Sequence, residues 1–337
     1  MDYPNEKLEE LRERWITPEG KKLLKEIQKS RCYLSPVLFR EKVKRFKYLN
    51  DPEMEDGIDL RGAILSGFDF RVPVQSSDQG YSEDIVILSN IHFEGAELKH
   101  CNFESGRIHN CHFEDADLSH AEFRNATINS CHFQNADCSG INLRAAKLIN
   151  CNFSDATIKD VALDSTITDE KTHFGTELKS EKEKNFHFAS IEYKQIKEMY
   201  KNSSLHKKSD EYHYKAMVAK RRSESKKSPS RWLNMIFGDL LCKYGTSFNR
   251  VLGVSTGLIL LCATIYTSSN SLFYDGHAIR PSFIDSLYFS IVTFTTLGYG
   301  DYHVVGGLRF LAAAEAFTGA ALMALFTVVV ARSIIRD

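Results

Sequence analysis

Large apolar residues recur at every fifth position through the middle of the chain. They stand at Leu88, Phe93, Leu98, Phe103, Ile108, Phe113, Leu118, Phe123, Ile128 and Phe133, then at Cys138, Leu143, Leu148, Phe153, Ile158 and Leu163. Two residues before most of them sits a small one, such as Ala96, Cys101, Gly106, Cys111, Ala116, Ala121, Cys131 or Cys151. Leu60, Leu65 and Phe70 begin the same beat, which residues 71–85 interrupt. Self-similarity at a fixed period predicts a stacked repeat over residues 57–165, with the interruption thrown out as a loop between coils. A five-residue side has room for one bulky inward residue and one small one. Ile141 and Val161 break that rule, so local distortion is expected there.

The flanks follow other periods. Charged helices are predicted at Glu6–Trp15, Pro18–Lys29 and Pro36–Leu49, making residues 1–56 a helical cap for a solenoid whose ends need covering. Residues 166–229 read as a helical linker. Ile191, Tyr193, Ile196, Met199 and Tyr200 recur at roughly helical spacing, and Tyr212–Arg222 forms a second helix. Residues 230–245 form an amphipathic segment with Trp232, Leu233, Ile236, Phe237, Leu240 and Leu241 on one face, suited to a membrane interface. Two long apolar runs come next. Val251–Thr267 carries no charge, and Phe310–Ala331 carries only Glu315. Both are long enough to cross a bilayer.

Charge orients these runs. The chain has 337 residues and a net charge of −1, so its overall electrostatics are neutral. Lys215, Lys220, Arg221, Arg222, Lys226, Lys227, Arg231, Lys243 and Arg250 precede the first run, Arg332 and Arg336 follow the second, and Arg280 is the chief basic residue between them. The positive-inside rule then places both termini in the cytoplasm. No secretory h-region opens the chain, which fits that placement. The basic run beside a span reads as juxtamembrane charge facing lipid, and argues against a nucleic-acid partner. An intramembrane carboxylate such as Glu315 is a functional candidate by default.

Other chemistries find little support. Cys111, Cys131 and Cys151, spaced by twenty, should form one inward column of small apolar residues rather than a metal ladder, with His112 and His132 pointing outward. Without a CxxC pair, and in the cytoplasm, disulfides are not expected. No nucleophile–base arrangement, metal spacing or phosphate loop suggests an enzyme, an organic cofactor or a metal other than a permeant ion. No span carries the basic ladder of a voltage sensor.

Two stretches resemble known families. Ala116-Asp117-Leu118-Ser119-His120 matches the unit of pentapeptide-repeat proteins. That resemblance implies a right-handed quadrilateral β-helix, four units to the coil. Thr295-Thr296-Leu297-Gly298-Tyr299-Gly300-Asp301 resembles the selectivity filter of potassium channels, and residues 246–337 resemble their two-transmembrane-helix pore module. Successive carbonyls can line one axis only if the backbone alternates in hand, and Gly298 and Gly300 take φ > 0 cheaply.

The resemblance implies an outer helix at about 249–268, a pore helix at about 282–295, a filter at 296–301 and an inner helix at about 308–332. Thr296, Leu297, Gly298, Tyr299 and Gly300 would then coordinate K⁺. Thr295 would face the base of the pore helix and Asp301 the outer mouth. Tyr299 would pack behind the filter, braced by Tyr288 and Phe289. Val292 stands where some bacterial channels have a glutamate, so Asp301 needs another partner. Gly319 is either a gating hinge or a site of close helix packing beside Ala320 and Ala321. Glu315 could bond behind the filter or to a neighbouring helix. One chain supplies a quarter of a filter, which implies a homotetramer in the plasma (inner) membrane of a prokaryote. The repeat domain would bind an unknown cytoplasmic partner or ligand and act on the pore through residues 166–245. A less selective cation channel and a membrane-anchored interaction scaffold are the other readings.

Overall fold

The computed structural model describes residues 5–29, 58–73, 84–85, 87–269 and 272–336. The helix expected at Pro36–Leu49 lies outside them. The chain divides into two compact units, Met1–Ser223 and Glu224–Asp337.

The first unit is a β-solenoid. β1 (Ile58–Asp59) pairs in parallel with β5 (Ile91–His92), and strands β4 (Ile87–Ser89), β6 (Arg107–His109), β7 (Thr127–Asn129), β8 (Lys147–Ile149) and β9 (Ile167–Thr168) stack in parallel on one side. Ile108 pairs with Ile128 and Ile128 with Leu148, so one coil takes twenty residues. Single bridges, such as His112↔His132 and Asp117↔Asp137, continue the ladder on other sides. Each corner needs one left-handed residue two places after the large inward one. That position holds Asn90, Asp115, Asn125, Asn135, Asn150 and Asp155, types that tolerate αL, and even Ala145 is held there at φ 55°. Inside, rings stack in columns. Phe93, Phe113, Phe133, Phe153 and Phe174 succeed one another at centroid distances of 5.0, 4.9, 4.5 and 5.1 Å.

Four features depart from the sequence reading. Residues 166–174 continue the solenoid, because β9 pairs with β8 and His173 bridges Asn152. One additional residue between Phe153 and Phe174 hides this coil from a five-beat count. Ile141 and Val161 cause no break in the ladder: the Asn142 amide donates to the Ala121 carbonyl and the Ala162 amide to the Ile141 carbonyl, each at 3.0 Å. The small Cys138, in the column of Leu98 and Leu118, leaves space that both side chains line. The helices after the coils do not link but cap. α3 (Phe186–Asn202) and α4 (His206–Ser223) bury Tyr193, Ile196, Met199, Tyr200 and Tyr212 in the same core as the coils, and the Tyr200 hydroxyl donates to the Thr172 carbonyl at 2.6 Å. Ile191 turns outward instead, 42% exposed, while Glu192 is buried and accepts from Ser180 at 2.5 Å. β2 (Val72–Pro73) and β3 (Asp84–Ile85) pair as the antiparallel base of the interruption at residues 71–85.

The other end is closed by α1 (Asn5–Ile16) and α2 (Pro18–Lys29). Arg14 forks onto the Asp59 carboxylate at 2.8 and 2.6 Å, and the Trp15 indole donates to the Arg61 carbonyl at 2.7 Å. Burial would raise the Asp59 carboxyl, but the Arg14 and Arg61 hydrogen bonds outweigh it and hold the group below the usual range. Gly62 lets the α1 backbone approach: a Cβ there would lie 2.8 Å from the Leu11 carbonyl.

The second unit holds α5 (Phe248–Ser269), the half-length α6 (Phe283–Phe294) and α7 (Leu308–Arg336). α5 and α7 are long and apolar enough to cross a membrane. The segment expected as one amphipathic helix over 230–245 is broken into an α-turn (Pro229–Leu233), a π-helix (Asn234–Leu240) and a 3₁₀ turn (Lys243–Gly245). Tyr244, at φ 54°, folds its ring onto Gly238, where no Cβ would fit. Trp232, Ile236 and Leu240 remain exposed. A small sheet of β10 (Leu272–Tyr274), β11 (His277–Ala278) and β12 (Tyr302–Val304) joins the ends of the helices. Asp275 and Gly276, both at positive φ, turn its hairpin. This Asp-Gly pair is a legible turn signal that the sequence reading passed over.

Candidate functional site

The site begins with α6. Ser282 caps it in a box with Asp285: the serine hydroxyl accepts the Asp285 amide, and the Asp285 carboxylate accepts the Ser282 amide. Pro281 therefore stands just before the cap. At the other end the chain leaves the helix while its amides close the last turn. Thr295, Thr296 and Leu297 donate to the carbonyls of Ile291, Thr293 and Val292 at 2.9, 3.0 and 3.0 Å. The Thr295 hydroxyl also returns to the Ile291 carbonyl at 2.7 Å.

Beyond this point every second residue is left-handed: Thr296 at φ 58°, Gly298 at 56° and Gly300 at 80°. Glycine explains two of the three. At Thr296 the conformation carries a Cβ, and the hydroxyl donates to the Thr295 carbonyl at 2.7 Å. Alternation of this kind turns successive carbonyls toward one side, the geometry a dehydrated cation needs. Residues 296–300 are all exposed in the single chain. Tyr299, expected to pack behind this segment, is 68% exposed in the single chain.

Tyr288 and Phe289, expected to brace Tyr299, pack on other residues. Phe289 is buried against Tyr266 of α5, ring to edge at 4.9 Å. Tyr288 packs on Tyr302 at 5.6 Å. The Asp301 carboxylate accepts the Tyr302 amide at 3.0 Å. Val292 is buried and apolar.

Glu315 and Gly319 tie α7 to this assembly. Glu315 is 2% exposed. Its two carboxylate oxygens meet the Ser290 hydroxyl at 2.5 Å and the Tyr266 hydroxyl at 2.7 Å, which joins α5, α6 and α7. Ser290 also reaches the Ile259 carbonyl at 2.9 Å. One turn later, a Cβ on Gly319 would lie 2.1 Å from the Phe294 carbonyl oxygen. The glycine is therefore a point of backbone-to-backbone packing under the end of α6. Of the two readings its position allowed, the geometry gives a cause for packing. Tyr266 and Ser290 were not singled out from sequence. Nothing in a linear reading pairs them with a glutamate 49 and 25 residues away.

The cysteine column is inert. The thiols of Cys111, Cys131 and Cys151 are buried and donate to backbone carbonyls, as Cys151 does to Ile149 at 3.4 Å. Burial pushes the Cys151 thiol up to about 12.

Comparison with known proteins agrees with both halves. Residues 253–336 match a family model described as ion channel. Residues 106–170 match one described as pentapeptide repeat region. The chain joins an ion-channel module of the two-span potassium-channel type to a pentapeptide-repeat domain, and its place is the membrane. Neither family is enzymatic, and channels of this family typically assemble as oligomers. No curated protein matches the chain.

Among solved structures, HetL is a pentapeptide repeat protein involved in heterocyst differentiation regulation from the cyanobacterium Nostoc sp. strain PCC 7120. It is 24% identical at TM-score 0.28, over 32% of this chain and 46% of its own. This chain thus spans less than half of HetL's length. Rfr23, a pentapeptide repeat protein from the cyanobacterium Cyanothece 51142, is 19% identical at TM-score 0.27, over 35% of this chain and 88% of its own. The pentapeptide repeat protein alr5209 from Nostoc PCC 7120 is 28% identical at TM-score 0.22, over 25% and 73%.

Proposed function

We propose that the chain is the subunit of a K⁺-selective channel, a homotetramer whose filter is Thr296-Leu297-Gly298-Tyr299-Gly300. The observation that carries this reading is the alternation of left-handed Thr296, Gly298 and Gly300 directly after a capped half-length helix, between two spans. Four copies around one axis would face their carbonyls to a common path and cover the exposed Tyr299. Asp301 would sit at the outer mouth, both termini in the cytoplasm of a prokaryote, and lipid around the apolar faces of α5 and α7. K⁺ is the permeant ion. The repeat domain would bind a cytoplasmic ligand or partner and act on the pore through the segment that follows Ser223.

Flux into liposomes tests this. Rb⁺ uptake that exceeds Na⁺ uptake and disappears in Gly298→Ala is the expected result. Equal uptake of Rb⁺ and Na⁺ would show a less selective cation channel. No uptake under any lipid composition, with the protein tetrameric and folded, would overturn the channel reading in favour of a membrane-anchored scaffold.

A further inference from the structure

The four sides of the solenoid end differently at its last coil. On the side of β9, the Thr168 amide donates to the Ser203 hydroxyl at 2.7 Å. On the next side, the Thr172 carbonyl accepts from Tyr200. On the third, Lys179 reaches the Thr157 hydroxyl at 3.0 Å. The fourth side, residues 161–165, pairs only with the coil beneath it, through the bridge Asn142↔Ala162. That coil shows what is left over. The Leu143 and Ala145 amides donate to the Ala162 and Asp164 carbonyls, each at 2.9 Å, and the Ile141 carbonyl accepts the Ala162 amide at 3.0 Å. One coil further on, the corresponding groups are the Leu163 amide, the Ser165 amide and the Val161 carbonyl. None of the three has a backbone partner among the described residues.

These groups border an open cavity of about 700 Å³, lined by residues 160–165 and, on α3, by Lys194, Gln195, Glu198 and Asn202. An unpaired strand edge is a template for another strand. In parallel pairing, one incoming residue gives its amide to the Val161 carbonyl and takes the Leu163 amide on its own carbonyl. Two residues later, a second carbonyl takes the Ser165 amide. The columns of side chains then set the chemistry of the incoming segment. Residues twenty apart lie one above another and pair by charge: Arg124 meets Glu104 at 2.6 Å, and Arg144 meets Asp164 at 2.8 Å. The Asp164 side chain is still 74% exposed, so a basic residue above it would complete the column. The residue above Leu163 points inward. Leu163 is only 8% exposed, so a small side chain is required there.

We propose that the edge at residues 161–165 binds an extended segment of a cytoplasmic partner protein as an added parallel strand, with a small residue over Leu163 and Lys or Arg over Asp164. Main-chain hydrogen bonds would supply the affinity, and the two side-chain positions the specificity. The outer face of α3 forms the wall of the groove and keeps the segment in register. This deepens the reading above, in which the repeat domain binds a cytoplasmic partner. Peptide binding requires no ion flux, so either reading can fail without the other.

The test uses the full chain in detergent and two fluorescent heptapeptides, Ser-Ala-Asn-Ala-Arg-Asn-Ser and the same sequence with Glu in place of Arg. Fluorescence anisotropy should give a Kd at or below about 100 µM for the Arg peptide. The Glu peptide should bind about tenfold more weakly or worse. Asp164→Lys should reverse that preference. Asn202→Trp, which fills the groove from the exposed end of α3, should abolish binding of both, with the far-UV circular dichroism of each variant unchanged. Hydrogen exchange at the Leu163 and Ser165 amides should slow about tenfold when the Arg peptide is saturating. No binding of the Arg peptide up to about 1 mM would overturn the proposal. So would equal affinity for both peptides, or binding that survives Asn202→Trp. Slow exchange at these two amides before any peptide is added would show the edge already closed by a second copy of the chain, and would equally overturn it.

Discussion

In the repeat domain, Phe93, Phe103, Phe113, Phe123 and Phe133 are sealed within one chain, while Phe310 and Phe317 in the C-terminal unit are 83% and 80% exposed. The first unit finishes its own core. The second leaves apolar faces on α5 and α7 that only lipid or other copies can cover. Buried charge occurs in both: the first unit buries Asp59 with Arg61 under α1 and Glu192 in α3, and the C-terminal unit buries Glu315 between three helices. What is buried in each unit reports what its surroundings will be.

The sharpest way to break this comparison is to truncate one phenylalanine from each side. Phe113→Ala removes a ring stacked between Phe93 and Phe133, and should cost about 3–5 kcal/mol. A thermal melt of the detergent-solubilised chain, followed in the far ultraviolet, reads that loss. Phe317→Ala should shift the same melt by less than about 0.5 kcal/mol. Equal losses would mean that Phe317 is buried in a core its own chain does not form.

The next test lies inside the C-terminal unit. Gly319→Ala forces a methyl into the Phe294 carbonyl, an overpacking worth about 1–3 kcal/mol or more. The expected outcome is a lower melting temperature and reduced Rb⁺ flux together. A hinge would behave differently, with stability retained and only open probability changed.

Much of the repeat domain was legible because its constraint is local. Each five-residue side chooses one large, one small and one left-handed residue, and Asn110, Asn125 and Asn135 mark the corners as plainly as Phe113 marks the core. Legibility ended where the count changed, as at the additional residue before Phe174, or where a smaller neighbour made room, as Cys138 does for Ile141. In the C-terminal unit the left-handed positions 298 and 300 were legible from their glycines, and the two long apolar helices from hydropathy. The grip of Glu315 on Tyr266 and Ser290 was not, since it depends on three helices meeting. The column of His92, His112 and His132 could be placed outward by register, but its closeness to Glu94 and Glu114 needed the stacking of whole coils.

Glu315 gives a smaller but more specific effect than Gly319. Glu315→Leu leaves the Ser290 and Tyr266 hydroxyls without their carboxylate and should cost about 1–3 kcal/mol. Glu315→Gln keeps a partner for both and should cost less. If the leucine variant melts as the wild type does, the carboxylate does not hold the three helices together.

The smallest effect separates the outside of the solenoid from its inside at adjacent residues. His112 and Phe113 are neighbours, one facing out and one facing in. The Glu114 hydrogen bond raises the His112 pKa above its ordinary value of 6.5. A group whose pKa is raised on folding stabilises the fold fully below its unfolded value. That stabilisation fades as pH rises through the folded value. His112→Ala should therefore destabilise more at pH 5.5 than at pH 8.5. Because the side chain is partly solvated, the difference should stay below about 1 kcal/mol. Melting wild type and variant at both pH values measures it. A larger loss at the alkaline end would mean that neutral His112, not its ion pair with Glu114, supports the column. Phe113→Ala should cost its several kcal/mol equally at both pH values, since no proton is involved in what it loses.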